Sequence, residues 1–270
     1  MEFRPLGRTG ERIPVVGMGT YAIGNSAGEQ RANEIKAIQR GIELGMRLID
    51  TAEVYGQGRS ETLVGEAIRD YREDVFLATK VSPEHFGYDD VIRSCEASIQ
   101  RLGVKFVDLY QLHWPSERIA IQETMKAMEE LVATGRTRYV GVSNFSVEQT
   151  MQAQESLPKS ELVSNQVRYS ITSRSIEADL LPFCEKEKIA VIAYSPLDTG
   201  NIPISRIPKE MLEKYGMTPA QLMLNWVTYP EPVVAIPKAG RISHVEENAS
   251  AIDVRISEVD YRALSKRFEK

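Results

Sequence analysis

Residues 75–80 read V-F-L-A-T-K, a short apolar run that ends in a lysine. A run of about four to eight such residues, bounded by polar ones, is typical of a buried β-strand. Seven more runs of this kind occur, and their starts lie mostly about 25 to 32 residues apart, which is the spacing of βα units joined by short connections. The eight runs occupy residues 15–20, 47–50, 75–80, 107–113, 138–144, 163–167, 189–195 and 233–238.

The segments between the runs carry apolar residues at helical spacing. Ile35, Ile38 and Ile42 recur every three or four residues, which predicts a helix that packs one face on a sheet. The strands read as apolar on both faces because helices cover the outside and neighbouring strands fill the inside. Eight such units close most readily into a barrel, so the sequence predicts an α/β fold, a (β/α)8 TIM barrel.

Two segments depart from this repeat. Residues 3–14, F-R-P-L-G-R-T-G-E-R-I-P, place a turn between two short extended pieces, which predicts a β-hairpin across the bottom of the barrel. The seventh unit has a longer loop, residues 197–208, before a helix that begins with a capping box at Thr218, Pro219 and Gln221. Linkers and changes of composition are absent from the sequence, so residues 1–270 are predicted to form a single domain.

The composition limits the class of function. With 42% hydrophobic and 26% charged residues, the chain is typical of a soluble globular protein. Its net charge of -5 gives no basic surface of the kind that nucleic acids require. The sequence also lacks an apolar stretch long enough for a transmembrane helix or a signal peptide. We therefore predict a cytoplasmic protein with neither a nucleic-acid partner nor a membrane.

The cysteines and histidines give no pattern of metal ligands. Cys95 lies on an apolar stripe of helical spacing and Cys184 follows an apolar run, so both are predicted to be core residues. His85, His113 and His244 are far apart in the chain. Because metal ligands usually recur at short, regular spacings, a metal site is not predicted.

Ionisable residues stand at the ends of three consecutive runs. Asp50 ends the second run, Lys80 the third and His113 the fourth, and Tyr55 lies in the loop after Asp50. In a TIM barrel the loops after the strands form the active-site face, so these side chains are expected to meet at one cleft. Each has a structural alternative, since an Asp often stops a strand, a Lys is often solvated and a His is often hydrogen-bonded. Turn chemistry alone does not predict all three together.

Seven longer motifs follow one another along the chain. They are D-T-A-E-V-Y-G-Q-G-R-S-E-T-L-V-G-E-A-I (50–68), L-A-T-K (77–80), D-L-Y-Q-L-H-W-P (108–115), G-V-S-N-F (141–145), N-Q-V-R-Y-S (165–170), A-Y-S-P-L (193–197) and A-I-P-K-A (235–239). In these motifs the chain resembles the aldo-keto reductase family over nearly its whole length. The resemblance implies a TIM barrel that binds a nicotinamide dinucleotide without a Rossmann domain, with NADP(H) preferred and NAD(H) as an alternative. It accounts for the absence of G-x-G-x-x-G.

The family's catalytic tetrad maps onto Asp50, Tyr55, Lys80 and His113. It implies an NAD(P)H-dependent oxidoreductase that reduces aldehydes or ketones, including ketoacids or sugars, to alcohols. Tyr55 would give its proton to the carbonyl oxygen, and Lys80 is expected to lower the tyrosine pKa from its ordinary value of about 10 toward neutrality. Asp50 is expected to hold Lys80, and His113 to orient the carbonyl oxygen as a neutral donor.

The same resemblance assigns contacts to the cofactor. Ser143, Asn144 and Gln166 match residues that hold the nicotinamide carboxamide, and Tyr194 matches the ring that stacks under the nicotinamide. Residues 195–197 are expected at the pyrophosphate, Lys238 at the adenosine phosphate, and residues 247–248 at the adenine. From the residues alone, the preferred interpretation of G-V-S-N-F is a strand end that caps a helix, and that of A-Y-S-P-L is a proline turn. The expected cofactor residues are Gly19, Thr20, Tyr21, Asp50, Ser143, Asn144, Gln166, Tyr194, Ser195, Pro196, Leu197, Ile236, Pro237, Lys238, Ala239, Arg241, His244, Glu247 and Asn248.

One position departs from the family's pattern. His244 stands where the family often has an arginine that clamps the 2′-phosphate of NADP. Ser243 and Glu246 have the spacing of a capping box, which places His244 at the first position of a helix. Lys238 and Arg241 remain as cations, so NADPH is expected to be preferred over NADH, with an affinity that weakens as pH rises through about 7.

The substrate side of the cleft is less well specified. The chain ends soon after its last predicted helix, so we expect an open cleft for a small carbonyl or alcohol substrate. The protein is expected to be a monomer or a weak homo-oligomer. Two alternative functions remain: a Schiff-base lyase with Lys80 as nucleophile, and an NADPH-sensing regulatory subunit with little turnover. The expected pocket residues are Tyr21, Tyr55, His113 and Trp114, with His85 and Phe86 as further candidates.

Overall fold

Ten strands and ten helices are distributed along residues 1–269, which the computed structural model describes. The strands are β1 (Phe3–Pro5), β2 (Arg12–Pro14), β3 (Met18–Gly19), β4 (Leu48–Asp50), β5 (Phe76–Val81), β6 (Val107–Leu112), β7 (Thr137–Ser143), β8 (Leu162–Arg168), β9 (Ala190–Tyr194) and β10 (Val233–Ala235). The helices are α1 (Gly28–Glu43), α2 (Arg59–Ile68), α3 (Tyr88–Leu102), α4 (Ile121–Ala133), α5 (Val147–Glu155), α6 (Leu180–Glu187), α7 (Lys209–Tyr215), α8 (Pro219–Val227), α9 (Ile242–Ala249) and α10 (Glu258–Arg267).

Strands β3 to β10 form one parallel sheet in which each strand pairs with the next along the chain. The two edges of this sheet meet where the Gly17 amide donates to the Ala235 carbonyl (2.8 Å) and the Ala235 amide donates to the Val15 carbonyl (2.8 Å). A sheet that returns to its first strand is a barrel, and helices surround it. The predicted (β/α)8 TIM barrel is therefore confirmed.

The predicted N-terminal hairpin lies across the bottom of the barrel. Strands β1 and β2 pair antiparallel, and wholly buried Leu6 and Ile13 pack in the same apolar cluster as Leu48 and Val163, which stand at the starts of barrel strands. The Arg4 guanidinium fastens the hairpin because it donates to the carbonyls of residues 228 (2.6 Å) and 233 (2.7 Å). This end of the barrel is thereby closed, and the opposite end is left for a site.

The helices pack their apolar faces on the outside of the sheet. In α1 the buried positions include Ile38 and Ile42, as the spacing predicts. Cys95 in α3 and Cys184 in α6 are both buried core residues, also as predicted. Among the described helices, none is long and apolar enough to cross a membrane.

The structure differs from the sequence-based boundaries in the last two units. The capping box before α8 is confirmed, since Thr218 Oγ1 accepts from the Gln221 amide at 3.2 Å. However, α7 intervenes between the 197–208 loop and α8, where the pattern gave no separate helix. Strand β10 is also shorter than its apolar run, because proline at 237 has no N–H group to extend the pairing.

Candidate active site

A cleft of about 840 Å³ opens at the end of the barrel where the strands finish. Every residue of the predicted tetrad except wholly buried Lys80 lines it, and so do most of the predicted cofactor residues. Ala239 and Arg241 lie outside the lining, whereas six residues that sequence reasoning missed belong to it: Ala22, Val54, Thr199, Gly200, Ile202 and Ala220. Small and aliphatic side chains carry no chemical signal by which the sequence could single them out.

Asp50, Lys80 and Tyr55 form a chain of contacts at the floor of this cleft. The Lys80 Nζ atom lies 2.6 Å from Asp50 Oδ2, 2.8 Å from the Thr51 carbonyl oxygen and 3.4 Å from the Tyr55 hydroxyl. Neighbouring strands produce this arrangement, because Asp50 ends β4 and Lys80 is the last but one residue of β5. The ammonium group is thus held between a carboxylate and a phenol, without access to solvent.

The charges of this chain follow from burial and pairing. Burial lowers the pKa of Lys80, but the adjacent Asp50 carboxylate and the bonds to it and to Tyr55 outweigh burial and raise that pKa, so the lysine stays charged. The pKa of Tyr55 is raised, because burial disfavours the phenolate more than the Lys80 ammonium favours it. Lys80 therefore acts on the Tyr55 pKa in the expected direction, but burial outweighs it, so the net shift is away from neutrality. Burial dominates here.

His113 follows β6 and faces the tyrosine. Its ring centroid lies 5.7 Å from that of Tyr55, and the planes meet edge to face. Burial, assisted by the positive charge of Lys80, lowers the pKa of His113 to about 3. The imidazole is therefore neutral at physiological pH and has one N–H to donate, which agrees with the neutral donor that the sequence predicts.

The side chains expected at a nicotinamide ring form one hydrogen-bonded network. Tyr194 donates its hydroxyl to Asn144 Oδ1 at 3.0 Å, and Asn144 donates its amide to Ser143 Oγ at 3.0 Å. Ser143 Oγ in turn donates to the Gln166 carbonyl at 2.8 Å, and the Gln166 side-chain amide donates to Asp50 Oδ1 at 2.7 Å. The network therefore joins this part of the cleft directly to the Asp50–Lys80 pair.

The loop after β9 is held in an unusual backbone conformation. Ser195, Asp198 and Thr199 have φ angles of 50°, 47° and 55°, in the left-handed region that non-glycine residues avoid. The buried Asp198 carboxylate fixes the loop, since it accepts from the hydroxyls of Ser170 at 2.7 Å and Thr172 at 2.5 Å. Left-handed residues in a turn can direct neighbouring backbone N–H groups toward one side, a geometry that suits an anion.

At the far end of the cleft the start of α9 differs from its prediction. The helix begins at Ile242, so His244 is its third residue, and the expected capping box of Ser243 and Glu246 does not form within the described chain. Glu246 is unavailable as a cap partner because its carboxylate accepts from Arg40 Nε at 2.9 Å. The first amides of α9 therefore remain open beside Lys238 and His244, a combination that suits a phosphate group.

The opposite end of the cleft is walled by aromatic residues. The ring centroids of Tyr21 and Tyr55 lie 5.4 Å apart, and Trp114 is half exposed at the rim. The two further candidates for this wall are wrong: Phe86 is a core residue with 2% exposure, and His85 turns away to bond Glu53 Oε1 at 2.9 Å.

Comparison with known proteins agrees with this architecture. The sequence model of the Aldo/keto reductase family matches residues 15–267. The chain therefore belongs to the aldo/keto reductase family and is an oxidoreductase, as its motifs predict.

Individual relatives match over almost their full length. The methylglyoxal reductase YeaE of Escherichia coli is 41% identical over 261 residues, which cover 95% of this chain and 91% of the relative. The solved structure of the thermostable aldo-keto reductase Tm1743 in complex with the inhibitor epalrestat superposes with a TM-score of 0.94 at 40% identity, covering 99% of this chain and 100% of that chain. An aldo/keto reductase from Klebsiella pneumoniae, solved with NADP and acetate, gives a TM-score of 0.90 at 39% identity, covering 99% of this chain and 96% of that chain.

Proposed function

We propose that this protein reduces small aldehydes and ketones to alcohols with NADPH, and that Tyr55 is the proton donor. The observation that carries the proposal is the position of the Lys80 ammonium, 2.6 Å from Asp50 and 3.4 Å from the Tyr55 hydroxyl at the floor of an open cleft. NADPH supplies the hydride when it is bound. The protein's own residues then have to bind the carbonyl, orient it and supply the proton.

Tyr55 is suited to give up its proton only as the reaction demands it. Because burial raises its pKa, the hydroxyl stays protonated at neutral pH until negative charge develops on the substrate oxygen. The phenolate that remains lies beside the Lys80 ammonium, which Asp50 keeps charged and in place. The neutral His113 imidazole donates a second hydrogen bond to the same oxygen. In alcohol oxidation the same groups act in reverse, with Tyr55 as the base.

The cleft has the features that a dinucleotide phosphate requires. The left-handed turn after β9 supports binding of the pyrophosphate by the backbone amides of Ser195 and Leu197, since Pro196 between them has no N–H group. The open amides of α9, with Lys238 and His244 beside them, support binding of the adenosine phosphate. The Klebsiella relative was solved with NADP, and we carry this cofactor over to the present chain in preference to NAD.

The substrate that we propose is a neutral carbonyl compound. Within residues 1–269, the lining at the substrate end consists of aromatic, aliphatic and amide side chains, and Asp50 below them is already paired with Lys80. A ketoacid would bring a carboxylate that finds no cationic partner there, so ketoacids are expected to be poorer substrates. The E. coli relative is a methylglyoxal reductase, which makes neutral dicarbonyls the first compounds to test.

The two alternative functions predict different behaviour. A Schiff-base lyase needs an unprotonated, accessible amine, whereas Lys80 is wholly buried and has a raised pKa, so this alternative is disfavoured. A regulatory subunit would bind NADPH tightly and turn over slowly or not at all. Turnover has to be measured to separate it from the enzyme.

The experiment is to follow NADPH absorbance while the protein is offered methylglyoxal, aliphatic and aromatic aldehydes, ketones, ketoacids and sugars. We expect the neutral aldehydes and dicarbonyls to give the highest kcat/KM and the corresponding alcohol as product. Tight NADPH binding without oxidation by any of these compounds would favour the regulatory subunit. Borohydride trapping of a substrate on Lys80 would favour the lyase.

A further inference from the structure

A buried glutamine beneath the cleft is not used by the mechanism proposed above. Gln111 lies on β6 in register with Lys80 on β5, and it is wholly buried. Leu109, two residues earlier, packs in the apolar cluster inside the barrel, and alternate residues of a strand face the same side. Gln111 therefore points into the barrel interior, where its Nε2 atom lies 3.3 Å from Asp50 Oδ1.

The Asp50 carboxylate consequently has a different set of partners on each oxygen. Its Oδ1 atom accepts from the side-chain amides of Gln166 (2.7 Å) and Gln111 (3.3 Å), and its Oδ2 atom accepts from Lys80 (2.6 Å). Two amide donors on one oxygen fix the rotation of the carboxylate and disperse part of its charge. The two amides on Oδ1 therefore also fix the position of Oδ2, the oxygen that Lys80 contacts.

A glycine on the next strand makes room for this arrangement. Gly141 is in register with Gln111, and a Cβ atom at position 141 would lie 3.1 Å from Gln111 Cγ and 2.5 Å from Ser164 Oγ. A larger residue at position 141 would force Ser164 Oγ to move and would press on Gln111, because the barrel interior is close-packed. The local sequence is thus compatible with a long polar side chain at position 111.

We propose that Gln111 is a positioning residue for the reductase: together with Gln166 it fixes one oxygen of Asp50, so that the other holds the Lys80 ammonium within reach of the Tyr55 hydroxyl. This inference rests on the proposed function for its meaning in catalysis. Gln111 belongs neither to the tetrad nor to the expected cofactor contacts. It lies outside the lining of the cleft, so it touches neither the substrate nor the nicotinamide. Its effect passes through Asp50.

Loss of the Gln111 amide should change the Asp50–Lys80–Tyr55 chain in a specific way. With one donor fewer on Oδ1, more of the Asp50 charge is left to attract Lys80, and the ammonium supports Tyr55 less well. In Gln111→Met, which is similar in length but cannot donate, we expect kcat to fall roughly tenfold, as for the loss of a hydrogen bond to a charged group. The KM for NADPH should change little, and the titration midpoint of Tyr55 should move to higher pH.

The test measures kcat and KM for each protein. Separately, each protein and its Tyr55→Phe derivative are titrated with base and followed by ultraviolet absorbance, and the difference between the two curves is the titration of Tyr55. Ser164→Ala is the matched control, since Ser164 is also wholly buried beside Gly141 but its Oγ has no hydrogen-bond partner within residues 1–269. We expect the control to retain the wild-type kcat and Tyr55 midpoint. Should Gln111→Met fold poorly, Gln111→Asn keeps an amide that is one methylene too short, and it should show the same two changes in milder form.

The outcomes separate this inference from the proposed function. If Gln111→Met kept the wild-type kcat and the wild-type Tyr55 midpoint, the positioning role would be overturned. This holds even if the variant were less stable, and it would leave the proposed reductase activity untouched. A wild-type protein that oxidises no NADPH would refute the proposed function. The Tyr55 titration would still decide whether Gln111 positions the chain.

Discussion

Replacement of Asp50 by asparagine probes the buried ion pair most directly. Lys80 is wholly buried and lies 2.6 Å from Asp50, so Asp50→Asn leaves a buried ammonium without its counter-ion. Removal of one partner of a buried pair destabilises a protein by about 3–5 kcal/mol, which in a chain of this size lowers the Tm by roughly 10 °C. Thermal and urea denaturation at several pH values measure this loss.

The dependence of the loss on pH identifies its cause. In the wild-type protein the pKa of Lys80 in the folded state is raised above its ordinary value. The stability that the pair contributes is therefore fully present at any pH below the ordinary pKa, and it is lost only as the pH rises through the raised pKa. In Asp50→Asn the carboxylate that opposes burial most strongly is gone, so we expect burial to lower the pKa of Lys80 in the folded state. Between that lowered value and the unfolded value of about 10.4, the unfolded chain binds more protons, so the variant gains stability as pH rises.

A second variant controls for lost packing. In Asp50→Asn/Lys80→Met both charges are absent, while the asparagine oxygen can still accept from the Gln166 and Gln111 amides, and we expect most of the stability to return while activity remains lost. The reasoning would be refuted if Asp50→Asn cost less than about 1 kcal/mol at neutral pH, or if its deficit stayed constant from about pH 6 to about pH 10.

Four further predictions concern the pH profile, the hairpin and the cofactor end of the cleft. Because burial raises the pKa of Tyr55 and lowers that of His113 to about 3, kcat/KM for the carbonyl substrate at saturating NADPH should stay level from about pH 6 to about pH 9; a midpoint near 7 in a pH–rate series under these conditions would contradict this. Arg4→Met removes the guanidinium that donates to backbone carbonyls below the barrel, and denaturation should show a loss of about 2–4 kcal/mol with an unchanged kcat. His244→Arg should improve the preference for NADPH over NADH about tenfold in fluorescence titrations, and equal affinities before and after would argue against a phosphate at this helix. Asp198→Ala releases the left-handed turn, so the Kd for NADPH should rise about fivefold or more, and the two hydroxyls left without their acceptor should lower the Tm by a few degrees.

Much of the fold could be predicted because its signals are local. The apolar runs gave the barrel strands, and the capping box at Thr218 gave the start of α8, since each depends on residues that are neighbours in the sequence. The ends of β4 and β5 likewise brought Asp50 and Lys80 together, because parallel strands finish at the same edge.

The features that sequence reasoning missed depend on distant residues. Ser243 and Glu246 have the spacing of a capping box, but Glu246 pairs with Arg40, which lies on another helix. The pKa of Tyr55 is raised because the assembled cleft buries it, and local sequence does not report burial. Gln111 looks like one polar residue in an apolar strand until the barrel closes and Asp50 lies beside it.

The central claim is that Tyr55 delivers the proton to the carbonyl oxygen, and a single-turnover measurement tests it most directly. Wild-type protein and Tyr55→Phe are each saturated with NADPH, mixed with methylglyoxal, and followed by NADPH absorbance, with NADPH affinity determined separately by fluorescence. We expect equal affinities for NADPH and a rate that is about a thousandfold or more lower in Tyr55→Phe, since the phenyl ring has no proton to give. A Tyr55→Phe protein that binds NADPH normally and reduces methylglyoxal at the wild-type rate would contradict it.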